Sequence, residues 1–540
     1  MPIPDLLSDQ PSVRLDTATL KQTLTFAFAS GVPESSFAQA LEGAKLPAST
    51  WEPRSFAKEL FLLELVAGCC KVSIAGHSYA IDRANLVRIL SQPPSSLGPS
   101  DFRRAILREL SASETMRADV ERVYVSLHQF RTQLATPPAP RRIDANRRRL
   151  DILASVKAAI DAMAESFESA ASGLSRLREF GAEVRAGEGY RRLAALLDYH
   201  DNLSTLDLRV RIGLDGRVRD LEMLSIRENE RNWFYSSPLG RFLGKFAAFL
   251  RGYRFSEQEM LARLVDRVFD GVEDEIVQLF QLTGDLEFYL AALAFRDLGE
   301  AKGLRVCLPE LVPEHQAPGP RFLRGLFNPL LLSQGVRVVP CDIETPRPDM
   351  TVIVTGPNSG GKTRLLQSLA IAQMLGQAGF FAPAREARLA LAPGLFVSLI
   401  EEATADQTEG RLGTELIRIR SLFEKLRFGS MVILDELCSG TNPSEGEEIF
   451  ELVITLLAEL APQAFITTHF LQLAARIAHH PPVSGLAFLQ VELDPHQFPT
   501  FRFIPGVAET SLAQRTAARL GVTREELLAL VEASKRAHRR

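Results

Sequence analysis

Eight residues of this chain have the types and spacing to grip a polyphosphate. Thr351-Val-Ile-Val-Thr355 is a β-branched run that reads as a buried strand; Gly356-Pro357-Asn358-Ser359-Gly360-Gly361-Lys362-Thr363 follows it, and a helix is expected to open at Arg364. The glycines let the backbone curl until its N–H groups point inward, and the start of the helix adds positive potential at the same place. Lys362 would reach the β and γ phosphates, and Thr363 would offer its hydroxyl to Mg²⁺, a hard cation that seeks oxygen. ATP and Mg²⁺ are the expected cofactors, bound by residues 356 to 364.

Two further apolar runs end in groups that could act on such a ligand. Met431-Val-Ile-Leu-Asp435-Glu436 closes with adjacent carboxylates, Asp435 for the metal and Glu436 to orient and polarise water for in-line attack on the γ-phosphorus. Phe465-Ile-Thr-Thr-His469 closes with a histidine placed to sense the terminal phosphate by hydrogen bonding. Lys362, Glu436 and His469 form the expected catalytic set, with Thr363 and Asp435 at the metal. His479 and His480 lack partners at metal-binding spacing and read as surface residues.

These strands need a sheet, and 540 residues leave room for three or four domains of roughly 150 residues. With 46% apolar and 24% charged residues the composition is that of a globular protein, which excludes disordered and collagen-like readings. A net charge of -4 supplies no bulk attraction to nucleic acid or to an anionic bilayer, so such contacts would need local basic patches. The five cysteines are odd in number, no long uncharged apolar run occurs, and Met1-Pro-Ile-Pro-Asp5 lacks the features of a leader. A cytoplasmic, non-membrane protein in a reducing compartment is expected.

The first 300 residues read mainly as helix, with apolar residues three and four apart at Phe56, Leu60, Leu63 and Ala67 and at Leu150, Leu153, Val156 and Ile160. Proline clusters at 91–100 and 136–140 read as linkers or tight corners. Over 206–226 the period changes to two around Asp215-Gly216, which predicts a β-hairpin whose polar side carries Arg209, Arg211, Arg217 and Arg219 as candidate DNA contacts. The run Arg141–Arg149 holds five arginines, read first as a solvated helix start and second as phosphate ligands. Helix returns after Ser256, a plausible N-cap, and the main boundary falls near 305. The predicted architecture is a helical core (1–135), lever helices with a small hairpin clamp (136–305) and an α/β domain with a phosphate loop (306–540).

The motifs together resemble the MutS family of mismatch-recognition ATPases, a branch of the ABC superfamily. Thr355-Gly-Pro-Asn-Ser-Gly-Gly-Lys-Thr363 is similar to that family's phosphate loop, Leu434-Asp-Glu-Leu-Cys-Ser-Gly-Thr441 with Gly446 to its acidic strand and following loop, and Thr467-Thr-His-Phe470 to its histidine switch. Asn328-Pro-Leu-Leu331 with Val339-Pro-Cys-Asp-Ile343 resembles the lead-in, and Gly506-Val-Ala-Glu-Thr-Ser511 with Ala517 and Leu520-Gly521 resembles the closing segment. The 73 residues from Lys362 to Asp435 (435 − 362) leave no room for a long coiled coil or a transporter's helical subdomain. The resemblance implies an ABC-type ATPase, facing ATPase domains in a homodimer, and a signature loop supplied to the partner's site. The candidate loop is Asp406–Thr414; it lacks the family's serine, with Leu412 or Gly413 at that point and Thr414 as the nearest hydroxyl.

No mismatch-reading amino-terminal domain and no Smr nuclease domain are expected, and Phe255-Ser-Glu257 is assigned no wedge role. The leading expectation is a dimeric, Mg-dependent ATPase whose levers clamp duplex, mismatched or branched DNA in repair or recombination. The alternative is a nucleotide-gated scaffold or a ribosome- or RNA-associated switch.

Overall fold

The computed structural model describes residues 2–137, 142–201, 205–212, 218–227, 257–313, 319–357, 359–399, 411–438, 442–509 and 524–537. They form two compact units, Met1–Leu46 with Ala84–Leu86 and Ala105–Leu290, and Pro47–Arg83 with Val87–Arg104 and Ala291–Arg540. Compactness therefore groups two amino-terminal segments with the carboxyl half of the chain, which the sequence pattern did not indicate.

The first unit is helical, as its periodicity predicts. Its helices include Thr17–Ser30, Glu34–Glu42, Glu114–Ala135, Arg142–Glu165, Ser175–Ala186, Glu188–Asp201 and Glu257–Asp270, and Glu273–Ala301 begins in it. Asp16 and Ser113 cap two of them by accepting N–H groups of the first turn, at 3.2 Å from Ala18 and 3.2 Å from Met116. Leu150, Leu153, Val156 and Ile160 are buried, so the three-and-four spacing marks a true core face.

Of the arginine run, Arg141 and the side chain of Arg142 lie outside the described residues, Arg147 is exposed, and Arg148 and Arg149 are engaged within the unit. Arg148 donates to the carbonyls of Ala27, Phe28, Leu134 and Thr136 at 2.7–3.1 Å, at the carboxyl ends of helices Thr17–Ser30 and Glu114–Ala135, where the Ala27 carbonyl also accepts the Gly31 N–H. Arg149 pairs with Asp266 at 3.0 Å and lies over the Phe28 ring.

Buried charge in this unit comes in matched sets. Arg14 lies between Asp5 and Asp285, and Asp285 also accepts the Leu6 N–H at 3.0 Å. Arg131 joins Glu287 and Glu34, each at 3.1 Å. The antiparallel pair β3 (Thr205–Ile212) and β4 (Val218–Arg227) follows the predicted hairpin; its Asp-Gly turn and Arg217 lie outside the described residues. Its register sets Arg209 opposite Glu222 and Arg211 opposite Asp220.

The second unit contains a short hairpin, β1 (Val72–Ile74) and β2 (His77–Tyr79), which the sequence reading missed. Ala75 and Gly76 both take positive φ, 49° and 79°, as a two-residue turn of this kind requires. The expected helical run from Phe56 is also corrected. Phe61 is left-handed (φ 51°), the helix begins only at Leu62, and Leu63 is exposed. In the stretch 91–100 helix resumes at Leu97, because Pro99 sits in a first turn whose N–H groups have no helical partner anyway.

Two sheets dominate this unit. β5 (Glu310–Val312), β6 (Arg321–Leu326), β7 (Cys341–Thr345) and β9 (Glu386–Ala390) form one, in the order β5-β9-β6-β7. β8 (Thr351–Thr355), β10 (Leu395–Ser398), β11 (Met431–Leu434), β12 (Gln463–Thr467), β13 (Leu486–Leu493) and β14 (Pro499–Pro505) form the other, in the order β10-β11-β12-β8-β13-β14. All neighbours in the larger sheet are parallel except β13 and β14. β8, β11 and β12 are buried along their whole length, the signature of strands covered on both faces. Helix Lys362–Gln377 is buried from Leu365 onward, and helices Pro443–Ala458 and Leu471–His479 close a core around Val432, Leu434, Ala464 and Ile466.

Two stability predictions follow from the buried charge. Arg148→Ala should cost about 2–3 kcal/mol, since it strips a charged donor from four carbonyls; chemical denaturation followed by circular dichroism measures it. Burial, reinforced by Asp5 and opposed by Arg14, raises the Asp285 carboxyl to about 6. A carboxyl raised above its unfolded value of 3.8 favours the folded state when protonated, so its contribution fades as pH climbs from about 4 to 6. The Asp285→Asn protein should lose that part of the slope when melting temperatures are compared across the range.

Candidate nucleotide-binding site

The carboxyl ends of parallel strands in an open sheet leave a crevice where ligands bind, and the predicted residues collect along that edge. β8 runs into Gly356 (φ 134°), the loop turns through a bond from Gly360 N–H to the Pro357 carbonyl at 2.9 Å, and Gly361 (φ 88°) opens the helix in a left-handed conformation. A Cβ on Gly356 would fall 2.6 Å from Val491 Cγ2 on β13, and one on Gly360 would fall 2.7 Å from the same methyl. Close packing thus requires glycine at both positions, and at Gly356 the positive φ requires it as well.

Lys362 is buried and donates from Nζ to the carbonyls of Gly356 and Pro357, at 2.9 and 3.3 Å. Burial lowers its pKa, while Glu436 and Asp435 oppose the shift. Ser359 and Thr363 are exposed. Arg364, expected among the ligand contacts, donates to Gln367 at 2.9 Å, and Asn358 lies outside the described residues. Asn328, on the lead-in segment, anchors the start of the helix by donating to the Arg364 carbonyl and to Gln367, both at 3.1 Å.

The acidic strand meets this loop through two hydroxyls. Thr363 Oγ1 donates to Asp435 Oδ2 and Thr467 Oγ1 to Asp435 Oδ1, each at 2.5 Å; the Thr467 hydroxyl also accepts the Glu436 N–H at 2.7 Å. Asp435 N–H donates to the Ser398 carbonyl at 2.8 Å, and Thr468 N–H to the Val354 carbonyl at 3.2 Å. Glu436 (φ 50°) and Cys438 (φ 62°) hold left-handed conformations uncommon outside glycine, a local cost of the kind that collects at functional turns. His469 is exposed one residue beyond this network, with its ring centroid 4.2 Å from that of Phe470. The hydroxyl of Thr363 and the carboxylate of Asp435 are hard oxygen donors suited to Mg²⁺.

Thr467 as the bridge between the acids, and Val491 as the buttress of the loop, were not assigned those roles from the sequence. A threonine ending a fully buried strand was the available signal for the first. The second had none, because β13 meets the loop only through the sheet order. Of the expected signature loop Asp406–Thr414, residues 406–410 lie outside the described residues, while Gly413 and Thr414 fall within helix Arg411–Lys425. The closing segment from Thr510 to Gly521 is also outside them. All five cysteines are free, and burial pushes the thiol of Cys438 up to about 12. Among the described residues no helix is long and apolar enough to cross a membrane.

A buried strand, a glycine loop with its lysine and threonine at a helix start, and an acid bonded to that threonine lie at one edge of a mixed α/β domain. Comparison with known proteins bears on its family. Residues 352–533 match the model of MutS domain V, which supports membership of the MutS family. It is 31% identical over 270 residues to the Endonuclease MutS2 of Thermomicrobium roseum, a match spanning 49% of this chain and 33% of that protein. Against the Endonuclease MutS2 of Levilactobacillus brevis the figure is 29% over 277 residues (51% and 33%), and against that of Thermus thermophilus 27% over 287 (53% and 36%). The match thus spans about a third of the length of these relatives.

Gly356→Ala should remove ligand binding at this loop, since the added methyl can be housed only by displacing Val491. Isothermal titration with ATP is the measurement, and a circular dichroism spectrum like the wild type's would separate loss of the site from loss of the fold.

Proposed function

We propose that this protein is an ATP-dependent, DNA-binding member of the MutS family, in which Mg-dependent ATP hydrolysis drives a dimeric clamp in DNA repair or recombination. The observation that carries the nucleotide part is the convergence of the loop holding Lys362 with Thr363, Asp435 and Glu436, the last three joined by hydrogen bonds, Thr363 to Asp435 directly and Asp435 to Glu436 through Thr467. Lys362 would bind phosphate oxygens in place of the two loop carbonyls, and Thr363 and Asp435 would hold magnesium, which would supply positive charge to neutralise the phosphates. Glu436, one residue beyond Asp435, orients and polarises the attacking water. His469 reads the terminal phosphate. Gly356 to Arg364 form the binding segment, while Gly413 and Thr414 serve the partner's site.

The match to MutS domain V supports the DNA and homodimer parts of this reading. Residues 1–135 serve as core, 136–305 as levers with the hairpin at the tip, and 306–540 as the ATPase domain. The second reading, a nucleotide-gated scaffold or RNA-associated switch, draws support from the hairpin ladder, where Glu222 and Asp220 stand opposite Arg209 and Arg211. The name endonuclease belongs to relatives about three times as long as the stretch matched here, and the proposal does not extend to nuclease activity.

Lys362→Ala should weaken ATP binding by roughly ten- to a hundredfold, and Glu436→Gln should retain ATP while slowing turnover by about a hundredfold or more. Equilibrium binding and phosphate release measure the two. Undiminished turnover in both variants would refute the site. Gel shifts at low salt with duplex, mismatched and branched DNA and with structured RNA, each with and without ATP, separate the two readings; binding to RNA alone favours the second.

A further inference from the structure

β10 is the outer strand of the six-stranded sheet, and its open edge is covered by a strap formed from residues 50–59. An unpaired strand edge exposes N–H and C=O groups that need partners. Here side chains supply them. Thr50 Oγ1 donates to the Pro393 carbonyl at 2.6 Å, Trp51 Nε1 to the Ala392 carbonyl at 2.8 Å, and Ser55 Oγ to the Leu395 carbonyl at 3.1 Å. Trp51 is buried with its ring edge-on to Phe56, which anchors the strap.

The last of these contacts has a different consequence. Glu59 Oε2 accepts the N–H of Leu399 at 2.5 Å, one residue past the end of β10. The carbonyl of the preceding residue, Ser398, accepts the N–H of Asp435 at 2.8 Å, and the parallel register sets Ser398 beside Leu434. One peptide group is therefore held from both sides, by the strap and by the acid that faces Thr363.

We infer that Glu59 is a positioning residue for Asp435: by fixing the Leu399 N–H it sets the Ser398 carbonyl, and through it the backbone of the metal-facing acid. This rests on the ATPase reading above. Two hydroxyls hold the Asp435 carboxylate, but its main chain takes its position from Ser398, and small displacements of a ligand carboxylate weaken metal binding before they unfold a sheet. The strap's other bonds lie farther from the site and serve the edge alone.

The test titrates Mg²⁺ against phosphate release at saturating ATP in the full chain. Glu59→Ala should raise the Mg²⁺ concentration for half-maximal turnover roughly three- to tenfold, the scale of one ordinary hydrogen bond and less than the full worth of one to a charged acceptor, because the effect reaches the metal only through Asp435. Its ATP binding in the absence of Mg²⁺ should stay at the wild-type level. Glu59→Gln, whose amide oxygen still accepts the Leu399 N–H, should restore the titration, and Ser55→Ala should leave it unmoved. Should Glu59→Ala not fold, Glu59→Asp gives the same comparison through a shorter side chain. An unshifted titration in the Glu59 variant overturns the inference, as does an equal shift in Ser55→Ala, which would make the strap a structural cover only. Absence of Mg-dependent turnover in the wild type overturns the ATPase reading and this inference with it.

Discussion

The carboxylate of Asp435 is the tie on which the candidate site depends. β12 lies between the strand of the phosphate loop and the strand of the acids, so these two do not touch by backbone pairing. Thr467 spans the gap, donating to Asp435 while accepting the Glu436 N–H, and Thr363 reaches the other carboxylate oxygen from the first turn of the helix. An ionised carboxylate accepts both hydroxyls, and hydrogen bonds to charged acceptors are the strong ones. That arrangement sets both acids beside the loop without spending backbone pairing on it.

Close packing is the second constraint. Gly356 and Gly360 press against Val491, so the loop's curl is imposed by the neighbouring strand as well as permitted by the glycines. Thr355 ties the same region down, donating to the Leu489 carbonyl at 3.3 Å and accepting the Ala508 N–H at 2.9 Å. A phosphate loop offers its donors usefully only when it is held open before the ligand arrives, and here the β13–β14 pair provides that support.

Charge clusters in the first unit answer to the same physics. The arginines at 148 and 149, which by composition could have met phosphate, instead satisfy carbonyls and an acid of their own unit. Arg14 and Arg131 neutralise carboxylates that burial would otherwise penalise severely. A basic run in sequence therefore says little about partners until the acceptors near it are known.

The sequence by itself determined the loop, the acidic strand end, the histidine strand and the helical character of the first half. Each rests on local physics: glycine's freedom at positive φ, apolar period, and carboxylates at the end of a buried run. Only tertiary structure decided which groups meet. The bridging role of Thr467, the buttress at Val491, the strap from Thr50 to Glu59 and the carbonyl clamp at Arg148 each join residues brought together by sheet order or helix packing. One reading is overturned by the same tertiary constraint. The helix expected from Phe56 yields to a left-handed turn at Phe61, because tertiary contacts outweigh propensities worth only tenths of a kilocalorie per residue.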